Sequence, residues 1–314
     1  MRSGILLCAL IFLTEGLHAQ ESRSQIKVSP SEQAAVTQES TLKMGEVLPN
    51  KKFEDDKEIT DAKLRAEAGS LSRYSMKFSL SYAGPPIGDL SNKKQPNPDG
   101  SIGVYDTSLG GAISGRYRLD GRSTVSLGTG ITALTPFHGT ERVDVKNPFL
   151  SYDLSSRLNE LQMRNSVKGS VTTVPNYIDV GQYGSLGYDT SLIYNFGASG
   201  FATGVEAEFD YYLYNRDYEK ADGSASRYKI GLYPQIKYNF SDKVSAYTSV
   251  AFSFVNPRAR SNEYDMLNKM ISGRLGAGYA FSRDIYVSSY LNYYPENLRT
   301  ESTTLSLSTV FSLL

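Results

Sequence analysis

The stretch Arg73-Tyr-Ser-Met-Lys-Phe-Ser-Leu-Ser-Tyr82 alternates at every step, with Tyr74, Met76, Phe78, Leu80 and Tyr82 on one side and Ser75, Lys77, Ser79 and Ser81 on the other. Period-two alternation puts successive side chains on opposite faces of a pleated strand, so this segment is a strand with one apolar and one polar face. What those faces meet depends on how many such strands follow and how they connect.

They follow to the end of the chain. All 23 tyrosines lie beyond Arg73, in alternating runs separated by turn signals. YDTSLGGAISGRYRL places Leu109, Ile113 and Tyr117 opposite Asp106, Ser114, Arg116 and Arg118, with Tyr105 read as part of the same strand. Asp120-Gly121 supplies a tight turn, and STVSLGTGITAL returns with Val125, Leu127 and Ile131 on the apolar face. Clear strands recur in GSLGYDTSLIYNF, FATGVEAEFDYYLY, RYKIGLYPQIKYNF, VSAYTSVAFSFV, NKMISGRLGAGYAF, IYVSSYLNYY and TTLSLSTVFSLL. Between them, Leu150 to Thr173 reads as a weaker hairpin with its bend at Asn159 to Leu161. A helix through Leu154, Leu158 and Leu161 is the competing reading, and the choice separates twelve strands from ten.

Short turns at Asp120, Asn159, Gly197, Ser241 and Ser282 alternate with longer polar connections that start near Gly84, Pro136, Val174, Asn215, Asn256 and Pro295. A membrane barrel is built this way, with short turns at one rim and long loops at the other. Aromatic pairs on the apolar phase fall near strand ends: Tyr194 and Phe196, Tyr238 and Phe240, Tyr279 and Phe281. Such positions form girdles at the two interfaces of a bilayer. The fold class expected is therefore all-β: a transmembrane antiparallel up-and-down β-barrel of about twelve strands, with ten as the alternative. Arg73 to Tyr82 would pair with Thr303 to Leu313 to close it. A soluble secreted β-sandwich, apolar faces inward, shows the same alternation.

The rest of the chain agrees with an exported protein. Residues 1–19 have a basic Arg2, an apolar core from Gly4 to Leu13 and a small Ala19 at the cleavage position, the anatomy of a signal peptide. The one cysteine, Cys8, lies inside it, so the processed chain would hold no disulfide and no thiolate site. Residues 20–72 are charged and poor in aromatics. They read as a disordered segment with a short helix within Asp55 to Ser70, stopped by Gly69, and either a solvated leader or a plug in the mouth of the barrel. Residues 73–314 form the barrel. Equal numbers of acidic and basic side chains, 33 of each, give no net charge to attract nucleic acid.

The signal peptide, the amphipathic strands, the alternating connections and the strand at the extreme C-terminus together resemble Gram-negative outer-membrane β-barrels of the porin kind. The stretch around RYSMKFSLSY is also similar to porin-like proteins of predatory bacteria. The resemblance implies the outer membrane as location, its lipid as partner and small polar solutes as cargo, with the oligomeric state open. It departs from the family at the last residue, Leu314, where an aromatic in phase with the apolar face is usual.

If the polar face lines a lumen, the pore-lining residues are Lys77, Arg116, Arg118, Asp153, Arg164, Lys168, Asp189, Glu206, Glu208, Asp210, Arg227, Lys229, Lys237 and Arg274. Glu206, Glu208 and Asp210 would face Arg227, Lys229 and Lys237 across one hairpin, as a bracing ion-pair network or a transverse field that selects solutes. Small inner residues (Ser126, Gly128, Gly130, Ser249, Ser253, Gly276, Gly278, Ser306 and Ser308) point to open space rather than a packed interior. No catalytic set is expected. His138 reads as a solvated loop histidine, and the nearby Glu141 and Asp144 come without a nucleophile at the spacing of the outer-membrane phospholipase. Neither metal nor cofactor is expected: the loops Asn97 to Ser101 and Lys220 to Ser226 lack the full spacing of a calcium loop. Two functions are open, a passive pore and an occluded barrel whose outer loops bind a partner.

Overall fold

The computed structural model describes residues 59–215, 225–258, 264 and 266–313, with only the backbone described at 198 and 268–270. The signal peptide, Cys8, the leader up to Glu58 and most of the Lys220 to Ser226 loop lie outside the described residues.

Fourteen strands follow the first helix: β1 (Tyr74–Pro86), β2 (Lys94–Pro96), β3 (Ile102–Asp106), β4 (Ser108–Arg118), β5 (Ser123–Leu134), β6 (Arg142–Leu158), β7 (Leu161–Val171), β8 (Gln182–Asn195), β9 (Phe201–Tyr214), β10 (Ser226–Asn239), β11 (Val244–Pro257), β12 (Leu267–Ser282), β13 (Ile285–Tyr293) and β14 (Thr304–Leu313). The helices are α1 (Ala62–Ala68) and the short α2 (Pro175–Ile178). Every strand except β2 and β3 belongs to one closed antiparallel barrel of twelve.

The closing contact forms in the expected place. β1 pairs with β14 from Met76↔Leu313 to Pro86↔Thr304, and Phe78 stacks on Phe311 with ring centroids 4.7 Å apart and planes 7° from parallel. With β1 bonded to β4 on its other side, no edge of the large sheet is left open to another chain.

The doubtful middle segment is a hairpin. β6 and β7 pair from Phe149↔Ser170 to Leu158↔Leu161, and Asn159 takes the positive φ of 53° that a tight turn needs. The helix reading fails because both strands have a second neighbour, β5 and β8, and a helix would leave those ladders without partners. Two boundaries differ from expectation. Tyr105 belongs to β3, which pairs with β2 in a separate two-stranded sheet within the 87–107 connection, so β4 begins only at Ser108. β6 starts at Arg142, in what read as loop, because Ala133 and Leu134 of β5 extend the ladder to Val143 and Arg142. The connections alternate as expected, short at 119–122, 159–160, 196–200, 240–243 and 283–284 and long elsewhere.

The faces of the wall are inverted relative to a soluble protein. Leu127, Leu150, Val167, Leu186, Ile236 and Leu275 are each more than half exposed, while Ser126, Ser151, Ser166 and Gln235 beside them are buried. An apolar belt of this extent in water is an aggregation surface, whereas in a bilayer it is the solvated face. A single closed sheet with its apolar side outward also excludes the sandwich, whose core would lie between two sheets. At the short-turn rim, Tyr194 and Phe196, Tyr238 and Phe240, and Tyr279 and Phe281 meet edge to face with centroids 5.2, 4.9 and 4.7 Å apart. Polar groups on the outer face are satisfied locally, as hydrocarbon requires: Thr129, Thr203 and Thr248 donate to the carbonyls of Lys146, Gln235 and Arg274.

A plugged lumen as the candidate functional site

Twelve strands about 4.8 Å apart and tilted by about 40° give a cylinder about 24 Å across between backbones. Wall side chains narrow the bore to about 12–15 Å, and a helix with its side chains is about 10–12 Å thick. Residues 59–72 enter this bore at the short-turn half, so a helix there leaves little free section.

Local sequence explains why the segment is helical. Asp61 is the N-cap, its carboxylate accepting from the Leu64 amide at 3.0 Å, and Gly69 ends the helix at a φ of 72°. Between them Ala62, Leu64, Ala66 and Ala68 are strong helix formers, Leu64 and Ala68 on one face and Ala62 and Ala66 on another, each against its own apolar contact. Gly69 has a second reason to be glycine: a Cβ there would lie 1.7 Å from Nη1 of Arg116.

Each end of the segment is tied to the wall. At the N-terminal end the fully buried Gln162 of β7 accepts from the amides of Thr60 and Asp61 at 2.8 and 2.9 Å, and its own amide donates to the Thr60 hydroxyl at 3.0 Å. Lys237 of β10 donates to the Asp61 carboxylate at 2.5 Å, with both side chains buried. Burial alone would push the Asp61 carboxyl up, but the Lys237 ammonium holds it below its ordinary value. Lys63 pairs with Glu206 of β9; burial disfavours its charge, yet Glu206 and Glu67 together raise its pKa above the ordinary value. Glu67 sits 3.8 Å from Arg164 of β7, which is paired at 2.5 Å with Asp153 of β6.

The C-terminal end meets three cations. Lys77 donates to the Glu67 carbonyl at 2.6 Å, Arg116 to the Ala68 carbonyl at 2.8 Å, and Arg118 to the carbonyls of Ser70 at 2.8 Å and Ala68 at 2.9 Å. The Glu67 and Ala68 carbonyls are orphan acceptors of the helix end, where the peptide dipoles accumulate partial negative charge, and that of Ser70 follows the cap. Apolar contacts fill the remainder: Ile59 and Leu64 pack with Ile193 and Ala202, and Ala66 packs with Ala280, Tyr286 and Val310.

Of the residues read from sequence as lumen-facing, Lys77, Arg116, Arg118, Arg164, Glu206 and Lys237 bind the plug directly, and Asp153 does so through Arg164. Of the others, Asp189, Glu208 and Arg274 stand at mid-strand and Lys168, Asp210, Arg227 and Lys229 nearer the long-loop rim. Lys229 pairs with Glu208 at 2.5 Å, and Asp189 stands opposite Glu208 in the β8–β9 register. Asp210 is register partner to Lys229, and Arg227 donates to Asn256 at 3.1 Å. Lys168 lies 4.5 Å from the Phe149 ring centroid, and Arg274 lies between Tyr233 and Tyr290 at 5.6 and 5.4 Å.

Two expectations need correcting. Among the described residues the hairpin network of β9 and β10 holds one cross-strand ion pair, Lys229 with Glu208, because Glu206 and Lys237 turn to Lys63 and Asp61 of the plug. The small inner residues do not all mark free space. A Cβ on Gly278 would lie 1.8 Å from the Tyr286 hydroxyl, and one on Gly276 would lie 2.6 Å from Cβ of Tyr290 and 2.9 Å from Cζ of Tyr247. Glycine here makes room for a tyrosine laid across it, and Tyr286 is one wall of the plug seat. Gly278→Ala should therefore lower stability by about 1–3 kcal/mol through overpacking. Gly115→Ala, whose nearest neighbour would be 4.0 Å away, should be near neutral. Urea midpoints of the detergent-folded barrels check the pair.

Gln162, Asp61, Lys63 and Glu67 did not stand out as site residues in the sequence. His138 is 3.1 Å from the Leu90 carbonyl, while Glu141 and Asp144 turn to Lys93 and Arg142. Asn97 to Ser101 is a turn in which Asp99 accepts from the Ser101 amide at 2.9 Å.

No protein-family model matches the chain, and no curated protein matches it. Solved structures with a similar fold are outer-membrane barrels. An outer-membrane channel from Pseudomonas putida F1 is 15% identical, with 79% of this chain and 98% of that one covered and a TM-score of 0.49. The NanC porin is 9% identical, with 76% and 100% covered and a TM-score of 0.43. The outer membrane protein Omp33 of Acinetobacter baumannii is 12% identical, with 76% and 98% covered and a TM-score of 0.35.

Proposed function

We propose that the protein is an outer-membrane channel for small polar solutes whose resting state is closed on the short-turn, periplasmic side by residues 59–72. The observation that carries this reading is the nature of the seat. The segment is joined to the wall by ion pairs, backbone carbonyls and one glutamine, with two small apolar contacts, rather than by a continuous core. Polar contacts of this kind exchange readily with water and solute, so such a seat can empty without unfolding the barrel. The ladders of the twelve strands do not depend on it. The reading is of a channel and not of an enzyme, since the carboxylates next to His138 in sequence are engaged by cations elsewhere.

The test is a tether. In a Cys8→Ser background, Ala66→Cys with Val310→Cys places two thiols in one packed cluster of plug and wall. Oxidation should hold the helix in place and suppress current across a planar bilayer, and reduction should restore it. A folded barrel that passes no current in either state would instead favour the second reading, a permanently occluded barrel acting through its outer loops. That reading draws on the separate β2–β3 sheet, where Ile102, Val104 and Tyr105 are each more than 70% exposed.

A further inference from the structure

The wall that faces the plug is unequal in charge. Among the described residues, five of its cations touch segment 59–72: Lys77, Arg116, Arg118, Arg164 and Lys237. The carboxylates set against them are Asp153 and Glu206, with Asp189 acting on Arg164 and Asp284 on Arg116 from further off. What satisfies the excess is the plug, through acceptors of two kinds. Asp61 and Glu67 supply carboxylates to Lys237 and Arg164, and the last carbonyls of α1 together with that of Ser70 supply oxygens to Lys77, Arg116 and Arg118. Even so the match is incomplete. Nε and Nη1 of Arg116, a side chain only 4% exposed, have no hydrogen-bond partner, nor has the buried hydroxyl of Ser312, which stands beside Gly69 as Nη1 of Arg116 does.

We infer that this wall is an anion site, built for small solutes with carboxylate or other oxyanion acceptors, which segment 59–72 occupies in the resting state. The plug's acceptor oxygens stand where those of a solute would bind. When the segment withdraws it removes its acceptors together, and five cations face the bore at the level of the seat. Glu206 is also released, from Lys63, but the five cations still outnumber the carboxylates Asp153, Asp189, Glu206 and Asp284. Rings of Arg and Lys favour anions by replacing part of their hydration with fixed donors. Asp189 and Glu208 stand at mid-wall and Asp210 nearer the long-loop rim, beside Lys168 and Lys229; of the three, Asp189 also acts on Arg164. The conducting state is therefore anion-selective, and its selectivity resides at the plug seat.

This inference rests on the channel reading, and one experiment separates the two. The full chain is reconstituted in planar bilayers under a KCl gradient, with Asp61→Asn and, independently, Gly69→Val to unseat the segment by two routes. The second substitution acts at a positive φ and collides with Arg116. Open-state events should reverse near the chloride equilibrium potential, and adding Arg116→Gln with Lys77→Gln should move the reversal toward zero. Open events that are unselective or cation-selective, or whose reversal is unmoved by the two wall substitutions, overturn the anion site and leave the channel standing. Absence of current from every folded variant overturns the channel reading and this inference with it. A barrel that reverses near chloride only while Arg116 and Lys77 are present supports both.

Discussion

Lys237→Ala should open the barrel. The ammonium and Asp61 are both buried, so removing one partner leaves a charge with nothing to offset its loss of hydration, a cost of about 3–5 kcal/mol when the site cannot rearrange. Here it can rearrange if the segment that carries Asp61 withdraws, as proposed above. The cost therefore appears as a weakened seat rather than an unfolded wall. A shift of about 3 kcal/mol corresponds to roughly a hundredfold change in the ratio of open to closed states. Mean current across a planar bilayer should rise accordingly, while the urea midpoint of the barrel changes little. A midpoint that falls steeply with no gain in current would show that Lys237 braces the wall instead. Asp61→Asn with Lys237→Gln should recover part of the seat, since two neutral amides can still bond to each other.

The same pair sets a pH window. The Asp61 carboxyl is held below its ordinary value of 3.8, so its contribution to seating is complete above that value. It is lost as pH falls through the depressed value. Mild acid should leave the seated fraction unchanged; only stronger acid, below 3.8, should raise the current. Current that rises already at mildly acid pH would point to a group other than Asp61.

Phe78→Arg should have the largest effect on folding. Phe78 lies on the outer face of β1, stacked on Phe311 of β14 across the closing seam. An arginine on the lipid face near the bilayer midplane costs about 2–4 kcal/mol, less toward an interface. The lost ring pair adds about 0.5–1.5 kcal/mol. Both fall on the contact that turns a sheet into a barrel, so folding yield into lipid vesicles should drop along with the urea midpoint. Met76→Arg, nearer the short-turn rim on the same face, should cost less. Equal losses for the two would mean that depth in the bilayer is not what the wall senses.

Much of the barrel was legible because a strand reports its two faces in consecutive letters. Tyr74 to Tyr82 alternate without a break, and Thr304 to Leu313, their partners across the seam, alternate except at Thr309 and Val310. The alternation of short and long connections was equally readable, since Asp120-Gly121 or the turn at Asn159 needs only local chemistry. β2 and β3 were missed because Tyr105 continues the phase of Leu109 across Thr107, and nothing local shows that the chain leaves the barrel there. Gly276 and Gly278 were misread for a related reason. A glycine that leaves a void and one that receives a tyrosine from the next strand look alike until the register is known.

The sequence by itself determined the period, the polarity of each strand face and the short helix ending at Gly69, because backbone sterics and hydrophobic patterning act over a few residues. It also put the charged side chains on one shared face, while the choice of twelve strands over ten and the direction of that face came with the closed sheet. Only the tertiary structure decided what those charges meet. Lys237 is 176 residues from Asp61, and Arg116 lies 48 from Ala68. Coulomb attraction and burial depend on distance in space, and only closure of the cylinder around residues 59–72 brings these groups within hydrogen-bonding reach. An inner wall that reads as a pore lining in one dimension is, in three, largely the seat of the chain's own N-terminal segment.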